Sequence, residues 1–152
     1  MNERTQAAAA VASFSHADAL DILARADAER IKAFAEKLLD ELGPVQVLAS
    51  RTGLAMLPYV DTVQATAFHL GEVLMAEAHI RLPQHAVEGY GAVIGRDLEQ
   101  AMAMAITDAS LAAKVATVEI ESFLADEYRH QNQADDGRLR KVEATRVRME
   151  TF

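Results

Sequence analysis

The sequence predicts an α+β fold in which a mostly antiparallel sheet of about four strands is flanked by an N-terminal helical segment and C-terminal helices. Two changes of hydrophobic period carry that prediction. Apolar residues recur every three to four positions up to about Leu42, alternate between Val45 and Arg96, and return to helical spacing from Asp97. The pair Gly43-Pro44 marks the first boundary, because proline lacks the N–H that would continue a helix and glycine accepts a left-handed φ. A chain of 152 residues fits one domain, 1–152, with a helical segment over residues 1–42, a sheet over 44–96, and helices with a docking segment over 97–152.

In the first of these, Ser15 caps a helical segment carrying Leu20, Ile22, Leu23, Ala26, Ile31, Phe34, Leu38 and Leu39. The run Ala7 to Ala12 reads as alanine-rich helix rather than a leader, since Glu3 offsets Arg4 and acidic residues follow closely. Val45 to Leu48 and Leu54 to Val60 read as a hairpin turning through Ser50-Arg51-Thr52-Gly53. Pro58 pushes the second of these toward a sheet edge or a bulge. The clearest strand is Glu72 to Leu82, with Leu74, Ala76, Ala78, Ile80 and Leu82 on one face and Val73, Met75, Glu77, His79 and Arg81 on the other. Beyond Pro83-Gln84-His85, Val87 to Ile94 returns antiparallel.

Asp97 and Gln100 have the spacing of a capping box for a helix whose stripe is mostly alanine. More helix follows from about Ala116 to His130. The polar stretch Gln131 to Gly137 breaks it before a last helix from about Leu139 to Met149, where Arg138, Arg140, Lys141, Arg146 and Arg148 concentrate positive charge.

A net charge of −8 argues against nucleic acid as a partner, because phosphates reward clustered Lys and Arg. The absence of cysteine excludes disulfides and thiolate metal sites within the chain, and no stretch has the ~18 apolar residues of a membrane span. A cytoplasmic location is the expectation. His16, His69, His79, His85 and His130 show no i, i+4 pair, so no metal is expected, although the unknown register leaves open an approach of His69 to His79 across strands.

Glu77, His79 and Arg81 share a strand face and invite an acid-base reading. Residues two apart on a strand stand about 6.5–7 Å apart, and Val73 and Met75 beside them point to a partner-covered face. Gly89, Gly91 and Gly95 match neither a dinucleotide fingerprint nor a P-loop, and Asp97 with Glu99 would repel a phosphate at that helix start; close packing is the better use of these glycines. Arg96 remains a possible anion contact. At the C-terminus Arg146, Val147, Met149 and Phe152 read as a docking segment.

Several landmarks stand in a distinctive order: Thr52-Gly53-Leu54, Phe68-His69-Leu70-Gly71-Glu72, Ile80-Arg81-Leu82, Gly95-Arg96-Asp97, Asp108-Ala109 and Ala144-Thr145-Arg146-Val147. In that order and spacing, over roughly two-thirds of the chain, the sequence resembles the PhnG family of the bacterial carbon-phosphorus lyase. The resemblance implies an accessory subunit acting with the H, I, J and L components, in a reaction where an alkylphosphonate displaces adenine from ATP to give ribose 1-methylphosphonate 5-triphosphate. It implies no cofactor in this chain, with ATP and an iron-sulfur cluster in partner subunits, and nucleosidase-like chemistry that belongs mainly to the I component, so that this chain is not expected to be catalytic alone and its catalytic residues are left unassigned. The alternatives are an independent α+β enzyme or binding domain holding an anionic metabolite near Arg81 and Arg96, and a homo-oligomer of the isolated chain.

Overall fold

The computed structural model describes residues 14–146. The alanine run and Val147, Met149 and Phe152 of the expected docking segment lie outside them. The described elements are α1 (His16–Ala24), α2 (Ala28–Leu42), β1 (Gln46–Val60), β2 (Ala67–Leu82), β3 (Val87–Ile94), α3 (Leu98–Ala113) and α4 (Thr117–Ala144).

The first helical stretch is two helices rather than one. Ser15 caps α1 by accepting from the Asp18 N–H, and Asp27 caps α2 by accepting from the Arg30 N–H. Each side chain satisfies one of the donors that a helix start leaves without a partner. Helix α2 ends at Leu42, where Gly43 takes φ +73° ahead of Pro44.

Among the described residues the sheet has three strands in the order β1-β2-β3, antiparallel throughout, not about four. The expected turn at Ser50-Arg51-Thr52-Gly53 is extended backbone inside β1, paired residue by residue with Ala78, Glu77, Ala76 and Met75. The long alternating strand β2 is the template that overrides a locally turn-prone tetrapeptide, because every ladder bond it offers there would otherwise be lost. The chain reverses instead at Asp61–Thr66, where the Asp61 carboxylate accepts from the Val63 and Gln64 N–H groups at 3.2 and 2.9 Å. That local side-chain bonding is the usual means by which aspartate starts a turn. Consequently β2 begins at Ala67 rather than Glu72. Pro58 sits where expected, at a register shift between Leu57 and Pro58 on an edge strand.

Strand β2 sends Ala76, Ala78, Ile80 and Leu82 into the core, all fully buried. Helix α3 crosses that face with Ala101, Ala105 and Ala109 toward it. The approach is close enough to need bare backbone in β3. A Cβ on Gly89 would stand 2.2 Å from the Ala105 carbonyl oxygen, and one on Gly91 would stand 2.1 Å from that of Ala101. Close packing is thus the use these glycines have.

Helix α4 runs unbroken through Gln131–Gly137, contrary to the expected break. One glycine without proline costs a helix only about 1 kcal/mol. Tertiary contacts offset it: Gln131 Nε2 donates to the Ile22 carbonyl at 2.9 Å, and Arg25 pairs with Asp135 at 2.9 Å. Phe123 of α4 stacks on Phe34 of α2 at 4.4 Å between centroids. Glu127 of α4 is fully buried with Arg30 Nη1 2.9 Å from Oε1, an ion-pair distance without hydrogen-bond alignment, while Oε2 accepts from the Asp27 N–H.

Candidate functional site

The face of the sheet turned away from α3 carries the chemistry-bearing residues. Register places Arg51, Glu77 and Ala92 in one row, Ala49, His79 and Tyr90 in the next, and Gln46, Arg81 and Glu88 in a third. Val73 and Met75 continue the same face of β2 toward the turn, so the five residues expected to share a face do share it.

These side chains are paired with one another. The Tyr90 hydroxyl donates to Glu77 Oε2 at 2.7 Å, and Arg51 donates to Glu77 Oε1. His79 Nε2 donates to Glu88 Oε2 at 2.8 Å, and Arg81 Nη2 and Nε donate to Glu88 Oε1 at 2.6 and 3.0 Å. Hydrogen bonding from Tyr90, then from Arg51, holds the Glu77 carboxyl below its ordinary range. The same bond pushes the Tyr90 phenol upward, and Glu77 raises Arg51. Arg81 first and His79 second hold Glu88 below its ordinary range. A carboxylate so bonded favours its charged form and is a poor proton acceptor at neutral pH.

The signs give a pH prediction. Because folding depresses the Glu88 pKa, its pairing stabilises the chain above the ordinary carboxylate range and is lost as pH falls through the folded value. Glu88→Gln is therefore expected to lower the melting temperature at pH 7 and to have a shrinking effect below pH ~4. Equal shifts across that range, followed by circular dichroism, would contradict the pairing.

The other expected positions divide. Asp97 caps α3 by accepting from the Gln100 N–H at 2.9 Å. The Gln100 side chain does not close the box, since Nε2 donates to the Ala26 carbonyl at 3.1 Å and ties α3 to the α1–α2 corner. Lys32 Nζ lies 2.8 Å from Asp97 Oδ2; it is the first cause of a lowered Asp97 pKa, ahead of the Gln100 N–H, and is itself raised by the contact. The start of α3 thus carries its own anion. Arg96 is exposed and lies past the end of β3, whereas Arg81 pairs with Glu88 near its beginning, so roughly 26 Å of strand separates the two arginines. They form no common anion site. His69 and His79 lie on one strand ten positions apart, about 33 Å, and do not approach. Arg146 is exposed and within 3.3 Å of Glu143.

Sequence reasoning missed three features. Asp108, on the sheet-facing side of α3, accepts from the Tyr90 N–H at 2.9 Å and from His16 Nε2 at 2.7 Å, closing an outward backbone donor of edge strand β3. Its signals were an acid inside an alanine stripe and its place in the Asp108-Ala109 landmark, neither of which pointed to β3. Glu127 was hidden by the polar composition of α4. The third is a ribbon. Strand β3 pairs only with Met75 to Leu82, so residues 54–74 form a two-stranded arm outside the helical layer. Leu54, Met56 and Leu70 are 66%, 58% and 63% exposed on it. Tyr59 and Phe68 meet edge to face at 5.5 Å. The arm's formally charged residues are Asp61, in the turn, and Glu72, opposite Met56.

A shallow groove of about 660 Å³ lies between α2, α3 and β1, lined by Ala35, Met102, Ala103 and Ile106 together with Lys32, Glu36 and Glu99. No described helix is long and apolar enough to cross a membrane. The family model for phosphonate metabolism protein PhnG matches residues 15–152, and no curated protein matches the chain.

Proposed function

Because the chain belongs to the PhnG family of phosphonate metabolism proteins, we propose that it is an accessory subunit of the carbon-phosphorus lyase assembly. In that role it acts with the H, I, J and L components in transferring an alkylphosphonate onto the ribose C1 of ATP. The C1–nitrogen bond to adenine breaks, adenine leaves, and a C1–oxygen bond to the phosphonate forms. This chain contributes surface to that reaction, and its companions contribute the reacting groups.

One observation carries the reading: the acids and bases of the open sheet face are already bound to one another, while a mostly apolar ribbon stands exposed among the described residues. General acid-base work needs a group held within reach of a substrate proton. Glu77 and Glu88 are instead occupied by Tyr90, Arg51, Arg81 and His79. An exposed ribbon with apolar residues on both faces is a poor solvent surface and a good protein one.

Co-expression with the other lyase components, followed by size exclusion, is expected to show this chain eluting with them in fixed stoichiometry. Elution at its own size, with the remaining components assembled, would contradict the proposal.

A further inference from the structure

We draw no further inference here: the strongest candidate, the exposed two-stranded arm of residues 54–74 with Asp61, His69 and Glu72 among its apolar side chains, is an unpartnered surface, and nothing in the structure shows what covers it.

Discussion

Gly91→Ala is expected to destabilise the chain by about 3 kcal/mol, lowering the melting temperature by about 6–12 °C, although it adds a single methyl group. The new carbon would stand 2.1 Å from the Ala101 carbonyl oxygen and 2.8 Å from the Ala105 nitrogen. Both obstacles are helix backbone, so relief requires moving α3 off the sheet rather than turning a side chain. That movement would open the buried layer formed by Ala76, Ala78 and Ile80 beneath it, where packing loss is costly. Gly53→Ala is the matched control: its Cβ would meet nothing within 4 Å, and the expected change is within about 0.5 kcal/mol. Similar thermal shifts for the two variants would contradict the close approach of α3 to β3.

Arg30→Met is expected to cost about 3 kcal/mol, more than Glu127→Gln, even though Arg30 is the more exposed partner. The arginine is 44% exposed while the Glu127 side chain is fully buried. Removing the cation strands a carboxylate in the interior with only the Asp27 N–H donating to it. Glu127→Gln leaves an arginine that water can reach and keeps an oxygen to accept from Asp27. Solvent access at Arg30 places the expected loss at the lower end for a broken buried pair. Arg30→Met combined with Glu127→Met is expected to be milder than Arg30→Met alone, because the stranded charge is gone. Urea denaturation of the four proteins checks the order, and a larger loss for Glu127→Gln than for Arg30→Met would contradict it.

Those two sites show what the sequence makes legible. Gly89 and Gly91 before an alanine-rich helix announced close packing, since neither residue has bulk to hold the layers apart. The end of α2 at Gly43-Pro44, the irregularity at Pro58 and the Asp97 cap were legible for the same kind of reason: each depends on the chemistry of one or two residues. The turn was not. Ser50-Arg51-Thr52-Gly53 and Asp61-Thr62-Val63-Gln64 both contain turn-formers, and the choice between them is made by β2, which pairs with the first tetrapeptide. Misplacing the turn hid the ribbon, because a hairpin closing at Gly53 leaves no arm. Helix α4 was likewise decided at a distance, by Ile22 and Arg25 receiving Gln131 and Asp135.

The candidate site was half legible. Alternation along β2 put Val73, Met75, Glu77, His79 and Arg81 on one face, as the register has it. It did not reveal that residues of β1 and β3 occupy the functional groups. Arg51 and Tyr90 reach Glu77, and Glu88 holds both His79 and Arg81, through cross-strand neighbours that only register identifies. That pairing turns a plausible acid-base triplet into a self-satisfied surface.

Adenine release from ATP in the presence of methylphosphonate, measured on the purified chain and on the co-purified assembly, addresses the division of labour directly. The account predicts release by the assembly and none above the buffer rate by the chain alone. Adenine production by this chain with no companion protein in the preparation would contradict it.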